Sequence, residues 1–221
     1  PLAESTLILS ILKLSTVGAV STRASMAEAS RFDLNIIERP DELCTDAALF
    51  EDALIHGYNE AVKRRGKKPD LVVILMCNVI TVDNALIDTA IEALRDDPKA
   101  DSAVTVSKLN MYSPLRARRQ DEKGYLQPFV AFETFGDPAT LNCDRDSQGD
   151  VYFADMSHSV SRSSTLDAIE DGLLPQRWMG QNILPVYNSF GCDIDEPWQI
   201  DASAQWLAEK GFTEEKTPYE D

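Results

Sequence analysis

Asp193 and Asp195 flank Ile194 in the run "FGCDIDEPWQID" (190–201), Asp201 lies six residues beyond Asp195, and the next basic residue is Lys210. In an extended chain, residues two apart project to the same side. A strand ending here would aim both carboxylates at one point. Ligands of open α/β sheets bind beyond the carboxyl ends of the strands. Two carboxylates at such a rim suit a hard divalent ion, because Mg²⁺ takes one or two carboxylates together with substrate phosphates and keeps waters. A plainer use competes. Asp195 precedes Glu196 and Pro197, and an aspartate in that place caps the start of a helix. Capping leaves Asp193 unexplained, and D-x-D is a short pattern, so spacing alone leaves both uses open.

The elements that must position this pair alternate between helix and strand, the pattern of an α/β fold. Leu7 to Leu14 reads as the end of an amphipathic helix, "VGAVST" (17–22) as a short strand, and "FDLNIIERP" (32–40) as a second strand stopped by Pro40. The helical spacing of Leu49, Ala53, Leu54, Ala61 and Val62 predicts a helix over about 47–64. It ends in "KRRGKK", with basic residues at the negative end of the dipole and Gly66 as the C-terminal cap. "DLVVILMCN" (70–78) is continuously apolar, as a central strand covered on both faces must be; Cys77, at its end, is expected to be buried. A helix follows, capped by Thr81 or Asp83, and then a β-rich run at 101–109, so that 70–109 reads as a β-α-β unit. Residues 110–150 lose regularity and read as an arm or hairpin outside the sheet. Strands at 150–160 and 182–188 follow, the latter an edge strand because of Pro185. A helix from about Glu196 to Lys210, ended by Gly211, closes the fold.

The totals set bounds. A chain of 221 residues suits one domain. A net charge of −16 argues against nucleic acid as a partner, while a small anion needs only local positive groups or a cation. No apolar run reaches the roughly 20 residues of a membrane span. The apolar start holds Glu4 and Lys13 and is expected to be a helix, not a leader. Four dispersed cysteines without a C-x-x-C pair, and only two histidines, argue against a zinc site and favour a reducing, cytoplasmic setting.

Taken in order, "PLAESTL", "VST", "ERPDELCTD", the strand at 70–78, "QGDVYF" and "GCDIDEPWQIDASAQWLAEKG" resemble the acylneuraminate cytidylyltransferase family, which makes CMP-activated nonulosonic acids. The last segment is the most specific, with Asp193, Asp195, Asp201, Ala208 and Glu209 matching the family pattern. The resemblance implies a Rossmann-like nucleotide-diphospho-sugar transferase fold, a mostly parallel sheet flanked by helices. It also implies a homodimer built through an arm, for which 110–150 is the candidate. The implied reaction joins CTP and a nonulosonic acid sugar into a CMP-sugar and pyrophosphate. Asp193 and Asp195 would hold Mg²⁺ and so serve catalysis. Ser21, Arg39 and Asn78 fall on the nucleotide side, and Gln148 and Tyr152 on the sugar side.

The sequence also departs from the family. Pro1 aligns after the family's first strand and its Gly/Ser/Lys phosphate loop. Met76 stands at the place of a sugar-contacting glutamine, Gln148 at that of a motif asparagine, and Arg23 at that of a frequent aspartate. Other residues have two uses each: Arg39 also suits a salt bridge with Glu38 or Asp41, and Tyr152 a core position on a strand. Arg116, Arg118 and Arg119 suit phosphates, a partner subunit or a solvated turn, and Trp178 a sugar pocket or an apolar anchor. Two further functions stay open: a non-catalytic scaffold of the same fold, and a glycosyltransferase that grips a finished nucleotide sugar through the same D-x-D.

Overall fold

The computed structural model describes residues 6–11, 35–45, 47–146, 148–213 and 215–216. The described strands, in chain order, are β1 (Thr6–Ile11), β2 (Leu71–Met76), β3 (Ser102–Lys108), β4 (Arg118–Gln120), β5 (Leu126–Pro128), β6 (Tyr152–Arg162) and β7 (Ile183–Asn188). The helices are α1 (Phe50–Arg65), α2 (Asn84–Asp96), the short α3 (Ser163–Asp167) and α4 (Pro197–Glu209).

Continuous apolarity makes β2 the middle of two cores. Its even residues Val72 and Ile74 pack with Leu54 and Tyr58 of α1 and with Trp178. Its odd residues Leu71 and Val73 pack with Ala90 and Leu94 of α2. Opposite-facing alternation along one strand thus seats a helix on each side of the sheet. The sheet order is β1-β2-β6-β3-β7. β1 runs parallel to β2, β3 parallel to β7, and β6 antiparallel to both β2 and β3. The β2-α2-β3 crossover therefore joins parallel strands that are not neighbours, because β6 is inserted between them. β7 lies at the edge, as Pro185 requires.

Two of the helix ends read from sequence hold. Gly66 adopts φ 64° and its N–H reaches the carbonyls of Val62 and Lys63. Asp83, not Thr81, caps α2, accepting from the Ala85 N–H at 2.9 Å. Two expectations fail. Thr6–Ile11 is a strand, paired in register from Thr6↔Leu71 to Ile11↔Met76, where a helix end was expected. Residues 35–40 are irregular. The Ile36 carbonyl accepts from Arg64 Nη1 at 2.7 Å, and the Glu38 carbonyl lies 3.2 Å from His56 Nε2. Side chains of α1 thus take the carbonyls that a neighbouring strand would need. The expected strand at 17–22 lies outside the described residues.

His158, on β6, is 1% exposed and neither ring nitrogen has a hydrogen-bond partner among the described residues. Burial pushes its pKa below the ordinary value of 6.5, against weaker opposing effects of Asp155, the Leu86 carbonyl and Asp83. The folded chain then binds fewer protons here than the unfolded chain. Stability from this site is complete above about pH 6.5 and falls as the pH drops below it, by at most about 1.4 kcal/mol per pH unit for one proton. Chemical denaturation between pH 8 and pH 5 should show this loss in the wild type, and a shallower one in His158→Phe.

Candidate active site

Where β7 ends, the chain turns back across the sheet. Asn188 Nδ2 donates to Ser157 Oγ on β6 at 3.3 Å. Gly191 then lies so close to β6 that a Cβ there would sit 2.3 Å from Asp155 Cγ and 2.5 Å from Ser157 Oγ. Asp193 forms an antiparallel bridge with Val79, in the turn after β2, and the Ile194 N–H reaches the Asn78 carbonyl at 2.9 Å. The segment 188–194 thus carries Asp193 from the edge strand across the sheet to the C-terminal end of β2. Such a rim is where open α/β sheets place ligands.

Asp193 therefore sits in an isolated bridge, not at the end of a strand as expected. The expected cap also moves by one residue. Pro197 is the first residue of α4 and Glu196 is its N-cap, with Gln199 Oε1 accepting from the Glu196 N–H at 2.5 Å and the Asp195 N–H at 2.8 Å. Asp195 is thereby free of the capping role and its side chain is exposed. Asn78 Nδ2 approaches Asp195 Oδ1 at 3.4 Å. Burial raises the Cys192 thiol pKa, and the carboxylates of Asp193 and Asp195 both add to it. Two hard oxygen donors at an open rim fit Mg²⁺, whose remaining positions go to water and phosphate. Among the described residues no group of three or more His, Cys, Asp or Glu converges as a metal site.

The other expected residues lie elsewhere. Gln148 lies in the turn before β6, and Tyr152 begins that strand, on the same rim, in a separate cluster. There Lys108 pairs with Asp150 at 2.5 Å, Tyr152 Oη donates to Asp150 Oδ2 at 3.3 Å, and the rings of Tyr152 and Tyr187 meet edge-on at 5.4 Å. Lys108, then Asn110, hold the Asp150 carboxyl below the usual range. Arg39 belongs to the irregular segment along α1; it is half-buried, and among the described residues it forms no ion pair with Glu38 or Asp41. Ser21 lies outside the described residues. Trp178 is 4% exposed and packs on Phe50, so it is the apolar anchor. Cys77 is exposed, because β2 ends at Met76 and the turn carries Cys77 out of the sheet.

The hairpin β4–β5 stands apart from the main sheet within the loose region expected to be an arm. Of the three arginines expected there, two make local contacts: Arg116 Nη2 donates to the Cys143 carbonyl at 2.6 Å, and Arg118 lies over the Phe132 ring. Two contributors were not singled out from sequence. Gly191 had a signal, since a glycine in an extended run often marks a close backbone approach. Lys108 had none, because its partner Asp150 is remote in sequence.

No family model and no curated protein matches this sequence. Solved structures do. The structure of CMP:2-keto-3-deoxy-manno-octonic acid synthetase complexed with CTP superposes with a TM-score of 0.52 at 13% identity, covering 93% of this chain and 99% of that one. The structure of 4-diphosphocytidyl-2C-methyl-D-erythritol synthase from Anaerococcus prevotii DSM 20548 gives a TM-score of 0.54 at 15% identity, covering 92% and 79%. At such identities the likeness is one of fold. The chain has the α/β fold of these cytidylyltransferase structures: a mixed, mostly parallel sheet flanked by helices. No helix among the described residues is long and apolar enough to cross a membrane.

Proposed function

We propose that this protein is an acylneuraminate-type cytidylyltransferase, moving CMP from CTP to the anomeric hydroxyl of a nonulosonic acid sugar. The sugar's anomeric oxygen bonds to the α-phosphorus of CTP as the bridging P–O bond to the β-phosphate breaks. Pyrophosphate leaves with the electron pair and the hydroxyl proton passes to solvent. The observation that carries this reading is the crossing segment that sets Asp193 and Asp195 beside the end of β2. The fold likeness supports it, since one of those structures is a synthetase for a CMP-linked 2-keto sugar acid with CTP bound.

Asp193 and Asp195 would hold Mg²⁺, and Asn78 orients Asp195 through its amide. The bound ion supplies charge neutralisation at the phosphates. Arg39 and Ser21 are placed on the nucleotide side, Gln148 and Tyr152 on the sugar side, by the family resemblance. We place the protein in the cytoplasm, which suits its four dispersed cysteines. A homodimer is part of the proposal: the hairpin arm exposes Tyr125, Leu126 and Phe129, apolar surface that a second copy would cover.

The test is an assay with CTP, Mg²⁺ and a panel of nonulosonic acids, following pyrophosphate and the CMP-sugar by ³¹P NMR. Pyrophosphate release that needs both the sugar and Mg²⁺ is expected. CTP binding without turnover on any sugar acid would instead favour a scaffold. Consumption of a finished CMP-sugar without pyrophosphate would favour a glycosyltransferase.

A further inference from the structure

We infer that Thr81 is a positioning residue for the aspartate pair, tying the segment that carries Asp193 to β6 through a buried hydroxyl. The inference rests on the metal-binding reading of Asp193 and Asp195 given above. Thr81 lies in the turn between β2 and α2, is 0% exposed, and does not cap α2, since Asp83 does. Its Oγ1 accepts from the Cys192 N–H at 3.3 Å, one residue before Asp193. The same oxygen lies 2.9 Å from Ser157 Oγ, with either hydroxyl able to donate.

Ser157 is itself 0% exposed and built into a longer chain of polar groups. Its N–H donates to Asp155 Oδ1 at 3.1 Å, and Asp155 Oδ2 accepts from Ser107 Oγ on β3 at 2.8 Å. Buried polar groups are costly unless partnered, and an apolar core would pack this space without them. Here the partners run from β3 through β6 to the backbone of the crossing segment. β6 is deformed at this place. Its register with β3 shifts between Val104 and Val106, and Met156 adopts φ 62°. Bulges of this kind re-aim side chains next to active sites. This one places Asp155 and Ser157 under Gly191, where Ser157 meets Thr81. Thr81 touches no substrate; it acts through the Cys192 N–H and hence on the direction in which Asp193 leaves the bridge.

The experiment uses Mn²⁺ as the probe, titrated into the full chain with saturating CTP and read by EPR. Thr81→Val keeps the shape and removes the hydroxyl; Thr81→Ser keeps the hydroxyl. Thr81→Val is expected to weaken Mn²⁺ binding about 10-fold, the lower end for losing a group that orients a metal ligand, and Thr81→Ser to restore it. Should Thr81→Val not fold, Ser157→Ala removes the same link from the β6 side and is expected to behave alike. Wild-type Mn²⁺ affinity in a folded Thr81→Val or Ser157→Ala chain, or equal weakening in Thr81→Ser and Thr81→Val, overturns the inference alone. Wild-type protein that binds no Mn²⁺ overturns the metal reading of the pair together with it.

Discussion

Replacing Asp193 and Asp195 together by asparagine is expected to lower CTP-dependent turnover by at least about 100-fold, the usual scale for removing electrostatic support of a developing charge, and to leave the melting temperature nearly unchanged. The two halves of this expectation have separate grounds. Asparagine keeps the shape of each side chain but removes the charge that would hold the cation. The backbone does the structural work in this segment: the Ile194 N–H bonds the Asn78 carbonyl, and the Asp195 N–H bonds Gln199. Neither carboxylate forms an ion pair among the described residues. Side chains of this kind change stability by about 0.5 kcal/mol or less. Steady-state pyrophosphate release, read beside a thermal melt, decides the matter. Undiminished turnover in the doubly substituted protein would end the metal role of the pair.

Gly191→Ala is expected to cost both stability and activity. The added methyl would overlap Asp155 Cγ at 2.3 Å and Ser157 Oγ at 2.5 Å. Asp155 is 6% exposed and Ser157 0%, so neither has solvent to move into. Each is also held by the hydrogen bonds of its buried chain. The crossing segment must lift instead, at about 1–3 kcal/mol for overpacking a filled site. For a chain of this size that is about 2–4 °C of melting temperature per kcal/mol. Lifting also draws Asp193 away from Val79, so turnover should fall further than stability alone explains. Denaturant unfolding and the pyrophosphate assay check the two effects. A variant as stable and as active as the wild type would show that the segment does not bear on β6 as described.

"TLILSI" carries both a helical and an extended period, and a short apolar run of this length does not distinguish them. Pairing with β2 over Thr6–Ile11 made it a strand. The cap of α4 was legible in principle. A proline favours the first helical position, so Pro197 marks Glu196 as the cap and releases Asp195 for other chemistry. The β-α-β reading of 70–109 identified the right elements but not their neighbours, because insertion of β6 depends on long-range pairing.

The sequence by itself determined the local signals: the all-apolar β2, the Gly66 and Gly211 helix ends, a cap for α2 at Thr81 or Asp83, the edge position of β7, and the D-x-D pair as the chemistry worth locating. Each is set by the conformational limits or solvation of a few adjacent residues. Only the tertiary structure decided that Asp193 and Asp195 leave the edge strand, cross β6 and come to rest beside β2. That path depends on Gly191 packing against Asp155 and on bonds from Asn188, Cys192 and Ile194 to residues far away in the chain. Such contacts form only when distant segments are brought together by burying a shared core, and no local pattern of residues records which segments those will be.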